Sequence, residues 1–329
     1  MGHKLLVLFF LSISVSGFAQ IALSGRVVRA DNKSPIAFVN IGILDSDIGT
    51  ISEEDGSFSI LISERYLKAR LMFSALGYHR ISLSVDSAKN IPNLTVLLEE
   101  SMVQLKPVTV TGEQFNRKYL FGNGESEGGT VYADTITAGS AIALLIENRG
   151  NTMNLKYPRF KYPALVESVS VRVAKNTFKE FKIRVRFYSV DSLTGLPGKD
   201  LFNKSVVTTS RMKKGWLEID LLKHYIMIDG PFYLCFEWIL DKKDRRYLHH
   251  QYSSWLERHP ELVSVDYSEV DGDRIPYVNY NAYFWAGTSL GMAVSPKYLE
   301  NYTCYYRYSS FSKWMRSASI LAATITLSN

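Results

Sequence analysis

Between residues 21 and 99, short runs of alternating polar and apolar residues are cut every few positions by clusters of Gly, Pro, Asp, Asn and Ser. No other feature constrains the chain as much. Runs this short are poor helices, and strands bounded by tight turns bury their apolar faces only by packing sheet on sheet. Residues 22–28 form a β-rich run closed by Asp31-Asn32-Lys33-Ser34-Pro35. Pro35 has no backbone donor, so it belongs ahead of a strand and not within a central one. The next strand is expected over 36–44, with Ile36, Phe38 and Asn40 on one face and Ala37, Val39 and Ile41 on the other. Glu54-Asp55-Gly56-Ser57 is a turn with Gly56 at the position that favours φ > 0. Phe58, Ile60 and Ile62 then share a face, Gly77-Tyr78 ends the run Leu71-Met72-Phe73, and Ile81, Leu83 and Val85 alternate with serines. Residues 94–98 close the module. About seven strands in about 80 residues predict a β-sandwich.

The residues Gly25-Arg26-Val27, Pro35-Ile36-Ala37-Phe38-Val39-Asn40-Ile41, Gly49-Thr50 followed by Asp55-Gly56-Ser57-Phe58, Leu76-Gly77-Tyr78 and Leu97-Leu98-Glu99 fall in a characteristic order. In that order they resemble the carboxypeptidase regulatory-like domain, a transthyretin-like sandwich common on bacterial envelope proteins. The resemblance covers residues 21–112 and implies a non-catalytic accessory or spacer, with no catalytic residues to carry over. Val108-Thr109-Val110-Thr111-Gly112 looks like the segment that follows such a domain in TonB-dependent receptors, with Lys106-Pro107 where an acidic residue is usual.

Ahead of the module, Lys4, an apolar run over 5–15 and Gly17-Phe18-Ala19 have the layout of a secretory signal peptide cleaved after Ala19. The formal net charge is +6 and the pI about 9.0. That balance favours acidic partners such as polyanionic glycans, lipopolysaccharide or a membrane surface, and fits peripheral outer-membrane association. Nucleic-acid binding needs a dense basic stripe. Asp residues interrupt the one dense cluster, Lys242-Lys243-Asp244-Arg245-Arg246, which reads better as a solvated loop. In an exported chain Cys235 and Cys304 have two open states, a disulfide or two buried thiols.

Residues 113–130 change texture. Asn116-Arg117-Lys118 leads into Gly122-Asn123-Gly124-Glu125-Ser126-Glu127-Gly128-Gly129, expected to be a linker or long loop that lacks the Lys-Ser/Thr of a phosphate loop. From residue 131 strands return. Val169, Val171 and Val173 share a face. So do Phe181, Ile183, Val185 and Phe187, opposite a basic outer face with Lys182, Arg184 and Arg186. Leu217, Ile219 and Leu221 oppose Trp216, Glu218 and Asp220, and Phe232, Leu234, Phe236 and Trp238 line another strand. No long stretch of period 3.6 stands out, so a second, larger sandwich of jelly-roll type is expected over 131–329. Residues 184–191, 194–198 and 215–221 are similar to sandwich domains of the same class of surface proteins, which implies architecture and not activity.

Several constellations compete for a role. Residues 241–282 lack clear periodicity, and a loop that long is usually functional or disordered. It carries His249, His250 and His259 beside Asp244, Glu257 and Asp266, but the spacing matches no standard metal-ligand pair, so no metal is expected. Gly287-Thr288-Ser289-Leu290-Gly291 has the form of a nucleophile elbow, but no helix pattern follows it. Glu218 and Asp220 share a strand face, and with Glu237 they offer carboxylates of the kind glycosidases use, although such pairs are routine on polar strand faces. Aromatic residues crowd the C-terminal third; Tyr283 and Trp285 fall on one strand face beside the histidine-bearing loop.

These readings combine into an exported, all-β, two-domain protein. It has a signal peptide over 1–19, a transthyretin-like sandwich over 20–112, a linker over 113–130 and a jelly-roll-type sandwich over 131–329. The expected location is the periplasm or the cell surface of a Gram-negative bacterium. The expected function is non-catalytic binding of a glycan or an envelope protein through Tyr283, Trp285, His249, His250 and His259, with no cofactor and no nucleic acid. The alternative is a cell-envelope hydrolase acting on glycan or peptide through the C-terminal domain.

Overall fold

The computed structural model describes residues 20–101, 116–126, 129–132, 139–149, 155–258, 265–270, 273–278, 290–297 and 300–329. The leader and the Val-Thr-Val-Thr-Gly segment lie outside these residues. Two sheets build the N-terminal sandwich. One has the order β4 (Ser57–Ser63), β1 (Gln20–Arg29), β7 (Leu94–Leu98). The other has the order β3 (Gly49–Ile51), β2 (Asn40–Ile43), β5 (Arg70–Ser74), β6 (Ile81–Ser84). Phe58, Ile60 and Ile62 alternate inward as expected, and Phe58 meets Phe73 of the opposite sheet edge to face at 5.6 Å. Burying each such side chain contributes about 1.5–3 kcal/mol. Gly56 takes φ +77°, as its turn requires. Gly25 allows the parallel β1–β7 contact, since a Cβ there would lie 2.0 Å from the Leu94 carbonyl oxygen.

Two local expectations need correction. The strand expected over 36–44 covers only Asn40–Ile43, because Phe38 sits at φ +55°, and residues 39–43 are all buried instead of alternating. Val85 does not continue β6 but opens a short helix, α1 (Val85–Ala88), which still buries Val85 and Ala88.

The larger sandwich packs a seven-stranded sheet on an eight-stranded one. The first runs β13 (Pro197–Asp200), β12 (Phe181–Val190), β17 (Phe232–Ile239), β10 (Ala141–Ile146), β21 (Cys304–Arg307), β22 (Met315–Arg316), with β14 (Val206–Ser210) also on β12. The second runs β23 (Ile320–Leu321), β20 (Leu290–Ser295), β11 (Ala164–Asn176), β24 (Ala323–Ser328), β8 (Lys118–Asn123). In that sheet β15 (Gly215–Asp220) and β16 (Met227–Ile228) also pair with β11, and β9 (Gly129–Tyr132) pairs with β20. The chain passes back and forth between the sheets, so most neighbours are not consecutive in sequence. The inner faces read from the sequence meet here: Val169, Val171 and Val173 pack with Phe181, Ile183, Val185, Phe187, Phe232, Leu234, Phe236 and Trp238.

The expected linker contains structure. β8 pairs with β24 and β9 with β20, so both belong to the larger sandwich. Tyr119, Phe121 and Asn123 alternate inward along β8, a short signal masked by the Gly-rich residues that follow it. The expected loop over 241–282 likewise contains helix α2 (Lys242–Arg258) and a hairpin, β18 (Val265–Val270) with β19 (Asp273–Val278). The Asp241 carboxylate accepts from the Asp244 N–H at 2.9 Å and starts the helix. Over its first two turns the described residues turned inward are Asp244, Arg245 and Leu248, of which only Leu248 is apolar, so the start of the helix carries a weak hydrophobic signal.

The smaller sandwich docks on the outer face of the seven-stranded sheet. Ile51 packs on Ile239 beside Phe38 and Val207, and Arg184 donates to Asn40 Oδ1 at 3.2 Å and to the Phe38 carbonyl. The Asp45 N–H donates to the Phe311 carbonyl, and Ser309 Oγ donates to the Ser46 carbonyl, both at 2.9 Å. Glu53 accepts from the Lys242 N–H at 2.9 Å and pairs with Arg245 at 3.3 Å, so a carboxylate of one domain caps a helix of the other.

The first turn of this helix is expected to make stability depend on pH. Burial, and then the neighbouring Asp241, push the Asp244 carboxyl up to about 7; Lys182 and Lys243 oppose them. A carboxyl whose folded value lies above its unfolded value holds more protons in the native state. It therefore removes stability as pH rises between about 4 and about 7. Asp244→Asn should raise the melting temperature by a few degrees above pH 7 and leave it nearly unchanged near pH 4, as read by melts across that range.

Candidate binding cleft

Of the expected site residues, His249 and His250 fall on α2, and His250 is exposed. Tyr283, Trp285 and His259 lie outside the described residues, as does Ser289. The residues after Ser289 form strand β20, not the helix that a nucleophile elbow requires. Glu218 and Asp220 stand exposed on β15, and Asp220 Oδ1 accepts from the Leu222 N–H at 2.9 Å. Cys235 and Cys304 are free and buried, and burial pushes both thiols up to about 12. Their partners on β10 are the adjacent residues Ala143 and Leu144, so the two thiols face opposite sides of one sheet.

Glu237 is the most deeply buried carboxylate among the described residues. It has no exposed surface and lies directly across from Arg184 on β12 and Ala141 on β10. Arg184 donates to Oε1 at 3.1 Å and Arg186 to Oε2 at 2.9 Å, and Arg307 reaches over the small Ala141 to 3.6 Å. Asp200 grips the far side of Arg186 with bonds of 3.0 and 2.6 Å. Burial pushes the Glu237 carboxyl up, but the three guanidiniums outweigh it and hold the group below the usual carboxylate value. A buried carboxylate locked ionised by three cations has no proton to give and no approach for substrate, which removes it from any acid–base pair. The expectation of a half-buried strand with a basic outer face is thus corrected. Arg184 and Arg186 are 3% and 8% exposed because the other domain and the Trp314 region cover that face.

A cleft of about 480 Å³ opens at the opposite sheet, between Arg117, Lys118 and Tyr119 on one side and Tyr157, Pro158 and Arg159 on the other. It forms because β8 is an edge strand and residues 155–162 fold over it. Tyr157 packs edge to face on Tyr119 at 5.3 Å and Phe121 at 5.1 Å, and Phe160 packs on the same two rings at 5.2 and 4.8 Å. Asn148 clamps the backbone of Tyr157 with two bonds of 2.9 and 3.0 Å. Tyr157 Oη and Lys156 Nζ both donate to the Leu120 carbonyl, at 2.7 and 3.0 Å, which occupies an edge-strand acceptor otherwise open to strand addition. Arg117 exchanges backbone bonds with Asn329, both 3.2 Å. The walls are therefore fixed before any ligand arrives.

The electrostatics are one-sided. Lys118 pairs with Glu167 at 2.6 Å. Arg117, Lys156, Arg159 and Lys161 have no carboxylate partner among the described residues. Lys156 lies 5.2 Å above the Tyr157 ring, and burial holds its ammonium below the usual lysine value. The Tyr119 hydroxyl is buried and has no hydrogen-bond partner among the described residues. The sequence offered little sign of this site. Residues 117–119 lie in the expected linker, and the only usable signal was the interleaving of Arg, Lys and Tyr over 156–162.

Residues 23–110 match the family model described as the CarboxypepD_reg-like domain, which confirms the resemblance read from the sequence. No curated protein matches the chain.

Proposed function

We propose, for a chain whose first sandwich is a CarboxypepD_reg-like domain, that it is an exported, non-catalytic protein of the bacterial envelope whose larger sandwich binds glycan. The pattern of residues 4–19 supports export, and the basic pI supports an acidic setting such as the outer-membrane surface. The single observation that carries the binding reading is the prebuilt cleft, with Tyr119 and Tyr157 in its walls and cations at its rim. Aromatic rings take the C–H faces of sugars, and rigid walls lower the entropic cost of association. Among the described residues no carboxylate lines the cleft, and Glu167 is paired with the lining residue Lys118, which favours binding over the paired-carboxylate chemistry of a glycosidase.

A glycan array probed with the purified chain tests this reading. A defined subset of sugars should be retained. Tyr157→Ala should weaken them by about 1–3 kcal/mol, while Tyr157→Phe, which keeps the ring, retains most binding. Retention of no glycan on an array that covers envelope and plant polysaccharides would overturn it.

A further inference from the structure

We infer that the glycan held in the Arg117–Arg159 cleft is acidic, with a carboxylate or an equivalent anion on the sugar ring. The inference rests on the glycan-binding reading and narrows it. Arg117, Lys118 and Arg159 line one small space, and no described carboxylate neutralises Arg117 or Arg159. Unpaired cations beside an aromatic floor are poorly matched to a neutral sugar, which would desolvate them and give back only weak dipolar contacts. They are well matched to a uronate. When the ring of such a sugar lies flat on tyrosine, its carboxylate projects sideways in the ring plane, toward the rim. Arg117 and Arg159 stand there, and a guanidinium fork accepts a carboxylate through two parallel bonds. Lys156, next in sequence to the lining residue Tyr157, is exposed 5.2 Å above that ring and adds positive charge beside Arg117 and Arg159. The cleft volume suits a short oligosaccharide, within the range of about 300–1,000 Å³ common for small ligands.

Calorimetric titration of the full chain with oligogalacturonate, with its fully methyl-esterified form and with a single-stranded oligonucleotide provides the test. The acid should bind about tenfold or more tighter than the ester, the worth of one charge-assisted contact, and its affinity should fall as salt is raised. In Arg117→Ala and Arg159→Ala, both at exposed positions, the acid–ester contrast should collapse without a change in melting temperature. Arg159→Lys should restore part of it. Equal binding of acid and ester would overturn the acidic inference and leave glycan binding standing. Binding of neither, together with an empty glycan array, would overturn the glycan reading itself. Tighter binding of the oligonucleotide than of the acid would overturn the inference in favour of a general polyanion site.

Discussion

Replacing Glu237 with alanine is expected to cost about 3–5 kcal/mol of stability, the range for removing one partner of a buried ion cluster. The magnitude follows from what remains. Arg184, Arg186 and Arg307 would stay buried with Asp200 as the remaining carboxylate, and Asp200 touches only Arg186. Arg184 would also lose the contact that aims it at Asn40 and Phe38 of the other sandwich. Denaturant unfolding should therefore show a lower midpoint, and mild proteolysis should separate the two sandwiches sooner than in the wild type. Glu237→Gln preserves shape and loses charge, so its cost should be smaller. Acid titration adds a second signature. The folded carboxyl lies below its ordinary value of 4.5, so its contribution is present above that pH and is lost as pH falls through the lower folded value. Glu237→Gln should remove that part of the acid dependence. A loss under about 1 kcal/mol in Glu237→Ala, the size of an exposed pair, would contradict the burial described here.

Trp238→Ala should be nearly as damaging, at about 3–5 kcal/mol. Trp238 is 1% exposed and faces the opposing sheet in the middle of the larger core. In a domain of this size the loss corresponds to a fall in melting temperature of roughly 6–20 °C. Trp238→Phe should cost far less than its lost volume implies. The indole N–H is buried without a partner among the described residues, so deleting it removes a desolvation penalty along with the packing. A shift of only a degree or two in Trp238→Ala would mean that the facing sheets do not close on this residue.

The inner faces of both sandwiches could be read directly from alternation, because each is covered by strands of its own domain. Val169, Val171 and Val173 on β11, and Phe58, Ile60 and Ile62 on β4, are examples. The outer face of β12 could not be read this way. Arg184, Arg186 and Tyr188 look like a solvent face in sequence and become core only because a second domain covers them. The start of helix α2 escaped for a related reason, since its first turn meets a polar partner, Glu53 of the other domain, through Lys242 and Arg245. The cleft was hidden more deeply. Its two walls are 38 residues apart at their nearest edges (119 and 157) and meet only when 155–162 folds over the edge strand β8, a pairing no local pattern encodes. Of the site read from sequence, His249 and His250 are placed on a helix, while Tyr283, Trp285 and His259 lie outside the described residues.

The most direct measurement is hydrogen–deuterium exchange on the full chain, with and without saturating oligogalacturonate. Peptides over 116–126 and 155–163 should exchange more slowly in the complex, while α2 and the Glu218/Asp220 strand β15 stay unchanged. Protection centred on α2 or β15, with 117–119 and 157–159 unaffected, would place the ligand elsewhere and contradict the assignment of the cleft.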